Sequence, residues 1–274
     1  MNGRESYKES GSYKDSGRKN GSNTDRKGSG IGRFLLDAVI IFLVAVLLFS
    51  GYKVGSMIYK YHKDRSAYSS IADTAHGGRD NADEAADEGP DIDFGALREI
   101  NPDVVAWISC EDTVIDYPIV QGSDNSKYLY TLFDGSSGGA GTLFVDAVTE
   151  RPFEQFNTVV YGHHMRDGSM FAALKEYKDE KYCRAHPEME LITPDGSCRL
   201  QIWAFLNEPA DSEIYTSNIY SKEERREYID LVRSSAEYLT DADDGISERD
   251  RLVILSTCAY EYKDARYIAV CKML

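Results

Sequence analysis

The chain has 274 residues, 42% hydrophobic and 28% charged, a globular composition that excludes a wholly disordered or collagen-like protein and allows one or two domains. Its 31 Lys and Arg against 46 Asp and Glu give a net charge of −15, which argues against a nucleic-acid binder, since such proteins carry a basic face. Five cysteines make no disulfide scaffold, and the odd number leaves at least one thiol unpaired or shared between chains.

Residues 1–33 carry a net +4 and are rich in Gly, Ser and Asn, which predicts a disordered tail. Phe34 to Tyr52 follows, 19 residues with one charge, Asp37. A helix of that length spans roughly 28 Å, close to the hydrocarbon core of a bilayer. The rivals are a buried core helix and a cleaved signal peptide. Against the first, the run has no polar face; against the second, it exceeds a usual h-region and no A-x-A-like site follows. The basic residues ahead of it place the N-terminus in the cytoplasm, although Lys53, Lys60, Lys63 and Arg65 follow on the far side. Residues 53–91 read as a juxtamembrane and acidic linker, and 92–274 as the folded domain, long enough for one hydrophobic core.

Within that domain Phe94–Asn101 reads as a short helix and Val104–Ile108 as a strand. Val114–Val120 alternates like a strand, with Pro118 at an edge or bulge. Tyr128, Leu129 and Leu132 sit at helical spacing in Asp124–Phe133. Four glycines in Gly135–Gly141 make a turn. Thr142–Val145 and Thr158–Tyr161 are short strands, and Ser169–Tyr177 a short helix. Met189–Thr193 and Arg199–Leu206 flank Pro194-Asp195-Gly196 as a hairpin. Ser221 to Glu224 form a capping box ahead of an apolar stripe through Leu239. Leu252–Thr257 and Tyr267–Lys272 are the last strands. Eight short strands with one long helix inserted late predict a mainly β fold, a closed barrel with helical decoration.

Three residues stand at strand ends where chemistry can be exposed. Cys258 follows Leu255-Ser256-Thr257 at the lip of an apolar strand. It is a nucleophile if a base or cation favours its thiolate, and otherwise a core cysteine. His163 and His164 follow Val159-Val160-Tyr161-Gly162. Extended backbone sends adjacent side chains to opposite faces, so at most one of them serves a given site; a solvated surface pair is the plain reading, and zinc finds poor geometry here. Arg266 opens the last strand eight residues after Cys258, where an antiparallel return brings a cation beside the thiol.

Taken together, these motifs resemble the sortase family, cysteine transpeptidases of Gram-positive bacteria. Leu255-Ser256-Thr257-Cys258 looks like the family's T-L-x-T-C motif, Gly162-His163 like its histidine motif and Arg266 like its arginine. Asn157–Met165 with Gly168-Ser169-Met170-Phe171, Val120-Gln121-Gly122 with Asp124-Asn125 and Tyr128-Leu129, and the helix at 221–239 are similar to class B members. The Cys-to-Arg connection is compact, a departure that bears on loop-borne substrate contacts. The resemblance implies an eight-stranded barrel with N-terminal helices and a long helix between the sixth and seventh strands, behind a single transmembrane helix, with the catalytic domain outside the cell. It implies cleavage of a C-terminal sorting signal after Thr through a thioacyl intermediate, then transfer of a secreted protein to a peptidoglycan amine. In that reading Cys258 is the nucleophile, His163 the acid and base, and Arg266 the holder of the substrate oxygen. Asn125, Leu129, Ser256 and Thr257 line the peptide groove, and Thr257 with the amide of Ala259 completes an oxyanion site. NPxTN-like and S/P-P-x-T-G-like signals both fit, and no cofactor, metal or nucleic acid is implied. The alternatives are a pilin-polymerising sortase, a cysteine hydrolase or endopeptidase, and a non-catalytic surface protein.

Overall fold

The computed structural model describes residues 29–77 and 92–274. The predicted tail up to residue 28 and the acidic stretch 78–91 lie outside the described residues. The described residues fall into two units, divided between Lys53 and Val54.

Helix α1 runs Ser29–Ala75. From Arg33 onward it contains a stretch of mean hydropathy 2.7, none of it buried, long and apolar enough to cross a membrane. Within the second unit the helix continues well past the expected anchor. Tyr68, Ile71 and Ala75 are buried in the same core as the barrel. The Asp64 carboxylate accepts the Ala140 amide at 3.1 Å, and the Tyr68 hydroxyl donates to the Gly141 carbonyl. Residues 66–75, taken from sequence as linker, therefore form part of the domain. Their acidic neighbours masked a sparse apolar stripe that needs only one face to dock.

The strands are β1 (Val104–Ser109), β2 (Asp116–Val120), β3 (Leu143–Val145), β4 (Asn157–Tyr161), β5 (Glu188–Thr193), β6 (Gly196–Pro209), β7 (Tyr238–Leu239), β8 (Leu252–Cys258) and β9 (Ala265–Met273). The sheet order is β5-β1-β2-β3-β4-β8-β9-β6-β7, and β5 also pairs with β6. That pairing closes eight strands into a barrel, with the two-residue β7 as an appendage on β6. Pro118 pairs only with Trp107, because β3 joins β2 only at Ile119 and Val120. This is the edge position its missing N–H requires.

Alternation along the central strands divides the apolar residues between two cores. Val253 and Leu255 of β8 and Tyr267, Ala269 and Cys271 of β9 join one cluster with Trp107, Phe171 and Phe205. Leu252 and Ile254 join Ile268, Val270 and Trp203 on the other side, beneath a helix numbered here α4, Lys222–Ser235. The capping box is present at Ser221 and Glu224, but the helix stops at Ser235 and the chain enters β7 instead of continuing to Leu239. Two shorter α-helices among the described residues are α2 (Phe94–Ile100) and α3 (Glu180–Ala185). Asp124–Phe133 is not helical. The Asp124 carboxylate accepts the amides of Ser126 and Lys127 at 2.7 and 2.9 Å, a local turn that competes with helix. Tyr128 and Leu132 are nonetheless buried.

Candidate active site

Strands β4 and β8 run parallel, with Tyr161 opposite Ser256, so both chains leave the sheet at the same end. Gly162 and His163 follow one strand, and Cys258 ends the other. A Cβ at Gly162 would overlap Leu143 and the ring of Phe171, so only glycine lets the chain pass there. Strand β9 returns antiparallel, with Arg266 opposite Cys258. The Ala259 amide donates to the Ala265 carbonyl at 2.8 Å. Cys258 and Arg266 are therefore a non-hydrogen-bonded pair, the type whose side chains lie closest on a shared face.

A cleft of about 220 Å³ is lined by Cys258, His163, Arg266, Asn125, Leu129, Ser256 and Thr257, together with Phe144, Tyr161 and Tyr215. All seven residues singled out in the sequence thus border one cavity. Strand alternation puts Ser256 and Cys258 on one face and Thr257 on the other; the Thr257 hydroxyl is buried and has no hydrogen-bond partner among the described residues. Two observations bear on the expected oxyanion site. The Ala259 amide is already used by Ala265, and the Thr257 side chain is turned from the face that Cys258 shares.

The His163 Nε2 lies 2.6 Å from the Leu129 carbonyl oxygen. A carbonyl only accepts, so Nε2 carries a proton and Nδ1 is the nitrogen left to exchange one with a reacting group. Tyr130, largely exposed, tilts against the imidazole at 5.7 Å. The Nη1 of Arg266 donates to the Ala265 carbonyl at 2.9 Å, which steadies the guanidinium and leaves its other donors.

The far wall is polar and fixed. Asn125 donates to Asp146 Oδ1 at 3.0 Å and accepts the Ala147 amide at 2.8 Å. The Tyr161 hydroxyl donates to Asp146 Oδ2 at 3.0 Å, and Tyr215 and Ser256 share a hydrogen bond of 2.8 Å. Burial first, then the Asp146 charge, pushes the Tyr161 hydroxyl far up from its ordinary range. Burial pushes Tyr215 up to about 12, against the Ser256 hydrogen bond and the charge of Arg266. Both stay protonated donors. Sequence reasoning did not find Phe144, Asp146 or Tyr215. Tyr161 had the one available signal, its place at the strand end before Gly162.

The other four thiols lie outside this cleft. Burial raises the pKa of Cys110, Cys183, Cys198 and Cys271, so each is held as the poorly nucleophilic thiol. A larger depression of about 390 Å³ at the opposite end of β4 and β8 includes Cys198, Arg98 and Arg251 but no histidine.

A family profile for the sortase domain matches residues 108–274. The chain is 29% identical over 253 residues to sortase B of Listeria monocytogenes, covering 89% of this chain and 98% of the relative. To sortase B of Staphylococcus aureus it is 25% identical over 244 residues, covering 88% and 97%. Among solved structures, Clostridium perfringens sortase B superposes with a TM-score of 0.62 at 32% identity, covering 66% of this chain and 98% of the other. Bacillus anthracis sortase B in complex with AAEK1 gives 0.67 at 28%, covering 79% and 99%.

Proposed function

Because this chain belongs to the sortase family, and within it to class B, we propose that it is a membrane-anchored cysteine transpeptidase that cuts a C-terminal sorting signal after Thr. The acceptor is a peptidoglycan amine. Phe34–Tyr52 is the anchor, with the N-terminus inside and the barrel outside, in keeping with the basic residues ahead of the apolar run.

In this mechanism the Cys258 thiol gives its proton to His163 Nδ1 and its sulfur attacks the Thr carbonyl carbon. Negative charge gathers on the carbonyl oxygen, and the guanidinium of Arg266, facing Cys258 across the ladder, stabilises it. With the Ala259 amide engaged by Ala265, Arg266 carries the larger share of that stabilisation. The C–N bond breaks, His163 delivers its proton to the leaving amine, and a thioester remains on Cys258. The acceptor amine gives a proton to His163 and attacks the thioester carbon. The C–S bond breaks and Cys258 is restored. Asn125, Leu129 and Ser256 bind the signal, with Phe144, Tyr161 and Tyr215 as an aromatic wall.

The observation that supports this reading most is the strand register that puts Cys258, Arg266 and His163 on one cleft. The test is a panel of NPxTN-like and S/P-P-x-T-G-like peptides, with and without an added glycine-based amine. Ligated product that rises with amine concentration is expected. Cleavage that ignores the amine would make the protein a hydrolase, and cleavage by the Cys258→Ala variant would refute the assignment.

A further inference from the structure

The second histidine makes a contact with the nucleophile's peptide group that the reaction scheme leaves unused. In the parallel ladder of β4 and β8, the Gly162 amide donates to the Ser256 carbonyl at 3.0 Å. Rungs of this kind recur every second residue. The next would join the amide of residue 164 to the carbonyl of Cys258. The backbone does not make it, because the chain has turned at Gly162 and His164 bridges instead to Met170. The His164 side chain fills the gap, its Nδ1 lying 2.7 Å from the Cys258 carbonyl oxygen.

The geometry of the other edge explains why that carbonyl is open to it. Ala259 donates to Ala265 across the β8–β9 pair, so Cys258 sits in a non-hydrogen-bonded pair and its carbonyl points away from β9, toward β4. Since a carbonyl only accepts, Nδ1 carries the proton. Nδ1–H is present in one neutral tautomer and in the imidazolium, so the bond needs no change of charge to persist. The ring is braced by Tyr260 at 5.3 Å and Tyr267 at 6.2 Å between ring centres.

We infer that His164 is a positioning residue that replaces the last rung of the parallel ladder with a side chain, and so fixes the nucleophile strand against the strand that delivers His163. The two reacting side chains stand 95 positions apart in sequence, and this tie is made at the nucleophile's own peptide group. A displacement of about 1 Å between reacting groups costs up to roughly 100-fold in rate, so one bond at this point acts on kcat. The inference rests on Cys258 and His163 being the reacting pair.

The experiment uses the full-length chain in detergent micelles with His164→Ala, His164→Gln and His164→Asn. The Asn side-chain nitrogen stands about where Nδ1 does relative to Cβ, whereas that of Gln lies one carbon further out. His164→Ala and His164→Gln are expected to lower kcat about 10- to 100-fold, with KM within about twofold by the ground-state reading. His164→Asn is expected to recover to within about threefold of wild type on the same scale. All three should keep the shape of the wild-type pH–rate profile. Native-state hydrogen exchange reads the tie without substrate. The Gly162 amide should exchange about two- to tenfold faster in His164→Ala, the weight of one net hydrogen bond, and at the wild-type rate in His164→Asn. Wild-type kcat and Gly162 exchange in His164→Ala would overturn the inference. So would an Asn variant as impaired as Ala, or a pH limb that vanishes in His164→Asn, which would make His164 the proton carrier. If the wild-type chain cleaves no sorting peptide, the sortase reading fails, and the exchange measurement still decides the tie.

Discussion

Replacing Ile71 with Ala tests whether the catalytic domain begins inside α1. Ile71 is 4% exposed and packs in the barrel core, whereas Ile58, one part of the helix earlier, is 49% exposed. Truncating a buried Ile to Ala costs about 2–5 kcal/mol, combining lost transfer energy with an unfilled cavity. A domain of this size moves about 2–4 °C per kcal/mol. Taking about 3 kcal/mol as central, Ile71→Ala should lower Tm by about 6–12 °C, while Ile58→Ala should change stability by less than about 0.5 kcal/mol. The comparison is thermal unfolding of a chain beginning at Val54, followed by near-ultraviolet circular dichroism. A chain beginning at Ile92 lacks Asp64, Tyr68, Ile71 and Ala75 together and should melt lower still. If Ile71→Ala melts with its parent, or the Ile92 chain is equally stable, the end of α1 is no part of the fold and the boundary read from sequence stands.

The proposed chemistry makes further demands. Cys258→Ala should form no thioacyl intermediate, whereas Ala at Cys110, Cys183, Cys198 or Cys271 should keep activity in any variant that folds; mass mapping after trapping with a thiol-reactive sorting-peptide analogue decides it, and label elsewhere would move the nucleophile. Arg266→Ala should lower kcat and kcat/KM together by about 100–1000-fold, with Arg266→Lys recovering only part because an ammonium lacks the guanidinium fork; an effect on KM alone would remove Arg266 from the transition state. His163→Ala should be almost inactive in the same assay, because it removes the imidazole that borders the cleft with Cys258 and Arg266. Glu261 offers a test by pH. Its burial alone would raise its pKa, but hydrogen bonds from Lys178 and Tyr267 outweigh it and bring the carboxyl down to about 2. A depressed carboxylate stabilises the fold above its ordinary value of 4.5 and loses that contribution as pH falls toward 2. Glu261→Gln should therefore melt lower than wild type at pH 6, by the weight of about 1 kcal/mol or less for a partly exposed pair, and the gap should narrow as pH falls below 4.5 and close only as pH passes through about 2; a gap that widens in acid would reverse the argument.

Most of the barrel was legible because its strands obey one rule. Leu252–Leu255 and Tyr267–Cys271 are continuous apolar runs, since both of their faces are covered, one by the barrel interior and one by α4. The capping box at Ser221 is a local hydrogen-bond pattern and needed no tertiary knowledge. The failures fall where tertiary packing overrides local signal. Tyr128, Leu129 and Leu132 have helical spacing but serve a turn set by the Asp124 carboxylate. Tyr68, Ile71 and Ala75 look like a weak stripe among polar residues, and only the barrel surface they meet makes them core.

The site was legible to a different depth. Cys258 and Arg266 lie eight residues apart on a hairpin, so simple counting along two adjacent strands brings them together. The parallel pairing of β4 with β8 is another matter. Nothing local in Asn157–Tyr161 says that its partner is Leu252–Cys258 or fixes the offset, because a parallel partner is chosen through distant connections. A resemblance to known enzymes supplied that step. Even then it gave a role to one histidine and none to its neighbour. The expected alternation at His163 and His164 holds in the sense that matters. One ring reaches the Leu129 carbonyl on the wall of the cleft and the other reaches the Cys258 carbonyl. Both bonds fix a tautomer, and they fix opposite ones: Nε2–H in His163 and Nδ1–H in His164. The nitrogen left free on each ring is therefore different, and only that of His163 belongs to a residue that borders the cleft. The division of labour between two identical side chains is set by which carbonyl each one meets, a fact of three-dimensional register that adjacent letters in a sequence do not carry.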